Sequence, residues 1–378
     1  MSYEDISFSS DELARYNRHI VIPGFGLQAQ QKLKNSRVLV VGSGGLGSPA
    51  LLYLAAAGVG TLGIVDFDVV ESSNLQRQVL FGADDVGALK VDAAKSRLET
   101  LNPHIAIKTY PAKLDSGNAL DILQDYDVVT DGTDNFPSRY LINDACVLLG
   151  KPNVYGSVFR FEGQLSVFNY RDKHGEPGPN YRDLYPDPPA AGLIPDCAEG
   201  GVLGVLPGII GSLQALEAIK IITGAGQVTS GRLLLFDALT LESSVVQIKR
   251  RPDNPLNGTN PTLTGLIDYE AFCGVIAEKP VREISPMELL NWQQNGELFQ
   301  LIDVREPDEY LLVNIGAELM PLSTITHYAG RIARDKKVVL HCQMGTRSAR
   351  AIRELEKKFG LENLYSLQGG MVAYLELM

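Results

Sequence analysis

Cysteine is scarce in this sequence. Its 378 residues include only four, Cys146, Cys197, Cys273 and Cys342, and no two of them are spaced as a CxxC pair. This spacing argues against a short metal knuckle or a CxxC redox centre, and scattered cysteines do not make a disulfide scaffold. Hydrophobic cores must therefore stabilise the chain, which at about 150 residues per domain should form two or three domains.

The sequence also has no excess of basic charge, no export signal and no long apolar run. Lys and Arg total 34 against 45 Asp and Glu, a formal net charge of -11, so no extended nucleic-acid-binding surface is expected. The first residues, MSYED, lack the basic and apolar regions of an export signal. The apolar stretch 202–216 contains Pro207 and falls short of the roughly 20 residues that span a membrane. We expect a cytoplasmic protein that binds neither nucleic acid nor membranes.

The first 250 residues alternate between apolar strand-like runs and helical patterns. Arg37–Val41 is a β-branched run followed by glycines, then by a helical pattern that ends at Gly58 and a second run, 62–65. Together these form a βαβ unit. Further strands are predicted at 105–109, 127–130, 152–155, 164–169 and 232–237. The alternation predicts an α/β domain built on a sheet.

The rest of the chain predicts a second, smaller α/β domain. A polar stretch begins at residue 250, and the pattern resumes with a helix at 285–294, strands at 300–304 and 337–341, and a helix at 348–359. We therefore predict a first domain over 1–250, a linker over 251–280 and a second domain over 281–378. The proline-rich stretch 171–195 has no periodicity and is expected to be a functional or disordered loop.

A glycine turn follows the first predicted strand. Gly42, Gly44 and Gly47 form the pattern GxGxxG, and Asp66 ends the next strand, roughly 20 residues on. Glycines let the backbone turn tightly and approach a ligand, while the carboxylate can accept hydrogen bonds from ribose hydroxyls. The combination predicts a nucleotide site but does not distinguish NAD from ATP.

Later residues favour a triphosphate. Arg77 lies in the segment SNLQRQ at 73–78, and Lys90 follows it. These cations would neutralise charge on β- and γ-phosphates, and Asp134, beyond the predicted strand 127–130, is placed to hold a magnesium ion. The predicted ligands are ATP and Mg²⁺.

Several ordered motifs resemble the ubiquitin-activating (E1) superfamily, in its MoeB and ThiF branch. They are RYNRHI at 15–20, the glycine turn, SNLQRQ at 73–78, DGTDN at 131–135 and the segment 200–220. The resemblance implies a Rossmann-like adenylating domain. In it, the glycine carboxylate at the end of a carrier protein attacks the α-phosphorus of ATP and pyrophosphate leaves, a step that needs positioning and charge neutralisation but no protein nucleophile.

The resemblance also implies roles for particular residues. Asp134 with Asn135 serves the magnesium ion, and Arg18 reaches the phosphates bound by the partner subunit of a homodimer. ATP is held by the turn glycines, including Gly45, and by Asp66, Asp68, Asn74, Arg77 and Lys90.

Cys197 precedes an apolar helical segment, where a thiol can have a lowered pKa. By the same resemblance it captures the activated glycine as a thioester or resolves an acyl disulfide. A small core thiol is the alternative reading. Cys146, in an apolar stretch, is expected to lie in the core, and Cys273 receives no role.

Most members of this branch carry two CxxC pairs that bind structural zinc, and this sequence departs from that pattern. The corresponding positions are occupied by Asn180, Asp183, Asn254 and Asn257. Amides are poor zinc ligands, so no structural zinc is expected. The departure resembles a zinc-free subgroup of the branch.

Near the end of the chain, a predicted strand runs directly into Cys342 and the loop CQMGTR, and a helix begins at Ser348. A tight loop of this kind aims backbone N–H groups at the sulfur, and with Arg347 and the positive helix end it favours a thiolate or persulfide anion. Cysteine-dependent phosphatases are the competing interpretation. Their loops are longer, whereas only four residues separate Cys342 from Arg347.

This loop, the motif DVRE at 303–306 and the final GGM at 369–371 resemble single-domain rhodaneses. The resemblance implies a smaller α/β rhodanese domain in which Cys342 carries the sulfur. A signature that usually follows DVRE is degraded here to VNIGA at 313–317.

Together the two resemblances imply an adenylyltransferase and sulfurtransferase. Its partner would be a ubiquitin-like sulfur carrier ending in Gly-Gly, of the molybdopterin-synthase small-subunit type, which leaves as a thiocarboxylate. The sulfur would come from a persulfide donor, such as a cysteine desulfurase, or from thiosulfate. Two alternatives stay open at this point. One is an activator with a non-catalytic rhodanese domain that only docks partners, and the other is a nicotinamide-dependent dehydrogenase.

Overall fold

The computed structural model describes residues 8–172, 174–189, 201–274 and 280–377. The chain divides into two compact units, with the division after residue 276. Each unit contains one sheet and its own hydrophobic clusters. The α/β class predicted for both parts of the chain is confirmed.

The first unit is built on an eight-stranded sheet in the order β3-β2-β1-β4-β5-β6-β7-β8. Strands β1 to β5 run parallel, and the pairs from β5 to β8 are antiparallel. The chain reverses its direction across the sheet between β1 and β4, which opens a crevice at the carboxyl ends of these strands. The strands are β1 (Arg37–Val41), β2 (Thr61–Val65), β3 (Ala106–Tyr110), β4 (Val128–Asp131), β5 (Asn153–Phe159), β6 (Glu162–Phe168), β7 (Arg232–Asp237) and β8 (Ser243–Gln247).

Helices cover this sheet. The glycine turn leads into α3, which ends at Gly58, where φ is +84° and a residue without Cβ is favoured. The helices are α1 (Ser10–Ile20), α2 (Gly26–Asn35), α3 (Gly47–Ala57), α4 (Lys90–Leu101), α5 (Ala119–Leu123), α6 (Phe136–Leu149), α7 (Tyr181–Leu184), α8 (Val205–Thr223) and α9 (Tyr269–Phe272), with short 3-10 turns at Ser72–Asn74 and Ala83–Asp85.

Strand prediction succeeded where the strand contains a continuous apolar run. β1 and β7 have the predicted bounds, and four of the five residues of β1 are buried. The sequence analysis missed β8, whose residues are all exposed. Its sequence, SSVVQ, has no continuous apolar run, so its pairing with β7 is visible only in the folded sheet.

Helix α8 is longer than the apolar stretch 202–216 suggested. Its 19 residues make it long and apolar enough to cross a membrane by length and composition alone. In the structure it packs on the sheet, and the Nε2 of its buried Gln214 donates hydrogen bonds to the carbonyls of Asp131 and Val154. These contacts are those of a core helix.

Two segments that the sequence analysis assigned to a loop and a linker contribute residues to the hydrophobic core. In the stretch 171–195, Tyr181 is buried and its ring contacts those of Tyr140, Tyr155 and Phe168. In the segment 251–274, Tyr269 and Cys273 are buried in the same cluster. The first unit therefore extends beyond the predicted boundary at residue 250, because isolated aromatic side chains without periodicity anchor these segments.

The second unit has a five-stranded parallel sheet in the order β11-β10-β12-β13-β9. Its strands are β9 (Glu283–Ile284), β10 (Phe299–Asp303), β11 (Glu318–Leu319), β12 (Lys337–His341) and β13 (Leu364–Leu367). Its helices are α10 (Pro286–Gln294), α11 (Pro307–Leu312), α12 (Thr346–Phe359) and α13 (Gly370–Leu375), with a 3-10 segment at Leu322–Arg331. The predicted elements are confirmed within two residues at their ends.

Candidate functional site

A cavity of about 1060 Å³ lies in the first unit. It is lined by residues at the carboxyl ends of β1, β2 and β4, including Val41, Val65, Asp66 and Gly132. This is the position at which open α/β sheets bind ligands. Most of the residues predicted for nucleotide binding line it.

The glycine turn forms part of the cavity wall through Gly42, Gly44 and Gly45. Gly42 has a φ of +87°. A Cβ on Gly47 would lie 1.9 Å from the Gly42 carbonyl oxygen, so no other residue fits there. Gly47 does not itself line the cavity but lets the chain turn from β1 into α3.

The carboxylate of Asp66 is fixed in orientation. Its Oδ2 accepts hydrogen bonds of 2.8 Å from both the backbone N–H and the hydroxyl of Ser43. Its Oδ1 accepts one of 3.0 Å from the N–H of Asp68. These bonds hold a buried acid at the wall of the cavity, where the sequence predicted a partner for ribose.

The two predicted cations also line the cavity. Lys90 is buried, and its Nζ lies 2.9 Å from the Oδ2 of Asp68, which is itself a lining residue. The Nη1 of Arg77 donates to the carbonyl of Ser73 at 3.1 Å. Positive charge therefore faces the same space as the glycine turn.

Asp134 and Asn135 lie at the β4 side of the cavity, and both are exposed. The Oδ1 of Asn135 accepts a hydrogen bond from the N–H of Ser138 and so caps α6. The exposed carboxylate of Asp134 is a ligand type that Mg²⁺ accepts, since Mg²⁺ takes one or two carboxylates and completes its shell with phosphates and water. In the part of the chain that the structure describes, no three His, Cys, Asp or Glu side chains cluster as a metal site.

Besides Gly47, two residues assigned to ATP by resemblance do not line the cavity of this chain. Asn74 is buried, and its Oδ1 accepts a hydrogen bond of 3.4 Å from the N–H of Glu71. Arg18 is exposed on α1.

The sequence analysis missed several lining residues. Gln78 is buried, and its Oε1 has no hydrogen-bond partner among the described residues. Its place in SNLQRQ beside Arg77 was the available signal. Residues 112–117 and 266–270 also line the cavity, and no sequence pattern marked them.

Buried charge underlies the β4 side of this site. Asp131 is fully buried, and its Oδ1 accepts hydrogen bonds from the N–H and the hydroxyl of Thr133. Burial raises the pKa of the Asp131 carboxyl, and the charge of Arg139 opposes the shift. Arg139 is in turn hydrogen-bonded to Ser157.

The first unit contains three cysteines, of which the structure describes two. Cys197 lies outside the described residues. Cys146 is buried in the core as predicted, and burial raises the pKa of its thiol far above the usual range. Cys273 is also buried, and burial raises the pKa of its thiol to about 11. Neither of these buried thiols is placed to act as a nucleophile.

The four residues at the positions of the zinc ligands bind one another. The Nδ2 of Asn254 donates to Asp183 Oδ1 at 2.7 Å and to Asn180 Oδ1 at 3.2 Å. The Nδ2 of Asn180 donates to Asn257 Oδ1 at 3.0 Å. We call this group the amide clasp, and it joins the segment of α7 to residues 254–257.

In the second unit, Cys342 lies between β12 and α12, as the sequence predicted. Its side chain is buried, and its Sγ accepts a hydrogen bond of 3.1 Å from the N–H of Gly345. The hydroxyl of Ser348 lies 3.8 Å from the same sulfur. Gly345 has a φ of +97°, which turns the loop back toward the sulfur.

Arg347 forms an ion pair with Glu309. Its Nη1 and Nη2 donate to the two carboxylate oxygens of Glu309 at 2.6 and 2.7 Å. This bond raises the pKa of Arg347, and the nearby charge of Cys342 acts in the same direction. Glu309 was not predicted, because it lies on α11, 38 residues before its partner.

The DVRE motif forms a buried ion pair beneath the loop. Arg305 donates to both oxygens of Asp303, with Nη2 2.7 Å from Oδ2, and also to the Gln343 side chain and the Val313 carbonyl. His341 is buried beside them, with its Nε2 3.8 Å from Asp303, and burial lowers the pKa of its imidazole. The motif therefore supports the sulfur loop from below.

The two units match two family models. Residues 16–257, more than half of the chain, match the ThiF family. Residues 285–377 match the rhodanese-like domain.

Related proteins match this chain at high identity. The probable adenylyltransferase/sulfurtransferase MoeZ of Mycobacterium tuberculosis is 48% identical over 380 residues, which cover 98% of this chain and 95% of that protein. The sulfur carrier protein adenylyltransferase of Thermus thermophilus is 51% identical over 268 residues, 71% of this chain and 99% of that protein. The adenylyltransferase and sulfurtransferase MOCS3 of Drosophila virilis is 40% identical over 385 residues, 97% of this chain and 84% of that protein.

Solved structures agree with the fold of the first unit. Escherichia coli MccB with MccA-N7isoASN aligns with a TM-score of 0.57 at 20% identity, covering 66% of this chain and 75% of that one. PaaA aligns with a TM-score of 0.55 at 24% identity, covering 66% of this chain and 77% of that one. The chain belongs to the ThiF family, and it carries a rhodanese-like domain after its ThiF domain.

Proposed function

We propose that this chain uses ATP to adenylate the C-terminal glycine of a ubiquitin-like sulfur carrier and then transfers sulfur from Cys342 to that glycine. The observation that carries the proposal is the presence, in one chain, of a nucleotide cavity with fixed acid and cations and of a cysteine loop suited to bound sulfur. Either unit alone would supply only half of the reaction.

In the first half-reaction, the carrier carboxylate attacks the α-phosphorus and pyrophosphate departs. Asp66 would orient the ribose, since its carboxylate is already fixed at the cavity wall. Arg77 and Lys90 would offset the charge that builds up on the phosphates. Asp134 would hold Mg²⁺, which when bound neutralises phosphate charge.

In the second half-reaction, the terminal sulfur of a Cys342 persulfide attacks the acyl carbon and AMP leaves. The product is an acyl disulfide between the carrier and Cys342. A thiol must then attack the Cys342 sulfur, so that the thiocarboxylate leaves. If Cys197 is that thiol, it forms a disulfide with Cys342 that a two-electron reductant must reopen. In the alternative, Cys197 first captures the acyl group as a thioester.

The environment of Cys342 supports its role. The Gly345 N–H and the Ser348 hydroxyl both approach the sulfur, and α12 begins at Thr346. Donors of this kind stabilise sulfur that carries negative charge. A cysteine desulfurase or thiosulfate would load the persulfide.

Further parts of the proposal concern assembly. A homodimer is favoured by the exposed position of Arg18 on α1, away from the cavity of its own chain. We propose that the amide clasp replaces structural zinc, because its side chains are already hydrogen-bonded to one another. We further propose a cytoplasmic location for the protein.

Mass spectrometry of intact carrier proteins tests the proposal. Each candidate carrier is incubated with the enzyme, ATP, Mg²⁺ and thiosulfate, and its mass is compared with that expected for one oxygen replaced by sulfur. Cys342→Ala should form no thiocarboxylate, whereas the buried-cysteine control Cys273→Ala should form it normally. Carrier-dependent exchange of labelled pyrophosphate into ATP should persist in Cys342→Ala. Unchanged sulfur transfer by Cys342→Ala would contradict the proposal.

A further inference from the structure

One side of the nucleotide cavity is formed by residues 266–270, which lie after the last strand of the first unit's sheet. Leu266 and Ile267 pack against the core cluster of the first unit. Neither the glycine pattern nor the positions of the strand ends predicts a cavity wall formed by this segment. Its position is therefore a feature of this tertiary structure.

The segment is anchored on its inner side. The hydroxyl of Tyr269 donates to Asp144 Oδ2 at 2.9 Å, and Arg182 binds the same carboxylate at 2.7 Å. All three side chains are buried. The ring of Phe272 also lies 5.2 Å from that of Tyr140, so α9 is fixed to α6.

On its outer side the segment is held to the loop that follows β3. The hydroxyl of Ser116 donates to the carbonyl of Ile267 at 2.5 Å. Lys113 and Glu270 form an ion pair at the rim of the cavity, where their side chains are 60% and 53% exposed. Both residues line the cavity, so this pair joins two of its walls.

The orientation of a nucleotide in this cavity follows from the groups already described. A ribose at Asp66, after β2, and phosphates at the glycine turn, after β1, leave the base on the side of β3, because β3 is the next strand beyond β2. Residues 112–117 line that side of the cavity. The segment 266–270, bonded to them, therefore borders the base.

We propose that residues 266–270 are the outer wall of the base end of the ATP pocket and that the Lys113–Glu270 ion pair holds this wall against bound nucleotide. The wall slows the release of ATP, and by linkage bound ATP stabilises the docked segment. This inference rests on the proposed function, because it takes ATP as the ligand.

Stopped-flow release of an ATP analogue with a fluorophore on its γ-phosphate, which leaves the base and the ribose hydroxyls unmodified, tests the wall in the full-length protein. The variants are Glu270→Lys, which places two like charges at the rim, and Lys113→Glu/Glu270→Lys, which restores the opposite pair. The matched control is Glu99→Lys, which reverses one charge of the exposed Lys95–Glu99 pair on α4, outside the nucleotide cavity. Thermal unfolding of each variant verifies that it is folded.

We expect release from Glu270→Lys to be about three- to tenfold faster than from the wild type, since one exposed pair is lost and a repulsion is added. The double variant should return to within about twofold, because the two sites are in contact and their effects are not additive. Glu99→Lys should release the analogue at the wild-type rate.

Hydrogen exchange gives a second readout that needs no substitution. Saturating ATP should slow the exchange of amides at 266–272 in the wild-type protein. If ATP left the amide exchange at 266–272 unchanged, or if Glu270→Lys released the analogue at the wild-type rate, the proposed wall would be contradicted. The proposed function would be unaffected by either result. A wild-type protein that binds neither the analogue nor unmodified ATP would instead overturn the proposed function itself.

Discussion

At the scale of single residues, the glycine turn requires a residue without a side chain at position 47. A Cβ at Gly47 would lie 1.9 Å from a backbone oxygen, which cannot move without breaking the turn between β1 and α3. Gly208, in α8, is the useful contrast, since a Cβ there would meet nothing within 4 Å.

We therefore expect Gly47→Ala to lower the free energy of unfolding by about 1–3 kcal/mol, as overpacking does, and to abolish ATP binding. Gly208→Ala should be neutral or stabilising by up to about 1 kcal/mol, since it replaces a helical glycine. Urea denaturation followed by circular dichroism measures both. Equal stabilities of the two variants would contradict the steric argument.

The Glu309–Arg347 pair is a second feature at this scale. The hydrogen bond from Arg347 lowers the pKa of Glu309 below its usual 4.5. The stabilisation by this pair is therefore complete above that value and is lost as the pH falls through the lowered pKa of the folded state.

The single tryptophan of the chain, Trp292, lies in the second unit and reports its unfolding. Between about pH 6 and about pH 3 the wild type should lose more stability, by this fluorescence, than Glu309→Gln, which has no such carboxylate to protonate. The exposed Glu362→Gln is the control and should retain the wild-type dependence on pH. Parallel pH profiles for wild type and Glu309→Gln would rule out this contribution.

At the scale of secondary-structure elements, the amide clasp joins α7 to the segment 254–257. Its central residue, Asn254, is buried and donates to both Asn180 and Asp183. Replacing it leaves two buried acceptors without this donor.

Asn254→Ala should lower the free energy of unfolding by about 1–3 kcal/mol, because it removes two buried hydrogen bonds of the clasp and the acceptor of the Leu256 N–H. The exposed Gln227→Ala should leave it unchanged. If the clasp works without metal, the melting temperature of the wild type should not respond to a chelator. A fall in melting temperature with the chelator would instead indicate a bound metal ion.

The elements also differ in how far sequence predicted them. β1, β7 and β12 were predicted at their bounds, because each contains a continuous apolar run. β8 was missed, and α9 was read as part of a linker. β8 depends on pairing with β7 and α9 on packing against α6, neither of which has a local signal.

At the scale of the whole molecule, the two half-reactions should separate by mutation. Arg77 lines the nucleotide cavity in the first unit, and Cys342 lies in the loop of the second. Because the adenylate is a reactant for sulfur transfer, a substitution that slows adenylation must also lower sulfur transfer.

Arg77→Ala should lower carrier-dependent pyrophosphate exchange by about 100-fold or more, as the loss of a charge-stabilising group does, and thiocarboxylate formation should fall with it. Arg77→Lys should recover part of both, because it retains the charge. Persulfide loading of Cys342 from thiosulfate should be normal in both variants. Normal exchange by Arg77→Ala would contradict its assignment to the phosphates.

The sequence by itself determined those parts of the two sites that are formed by residues close together in the chain. A glycine turn between a strand and a helix, an acid at the next strand end and a cysteine directly after a strand act through backbone geometry within a few residues. Only the tertiary structure decided which distant groups complete the sites. Glu309, the clasp and the wall at 266–270 depend on packing between segments far apart in the chain, and no periodicity encodes such contacts.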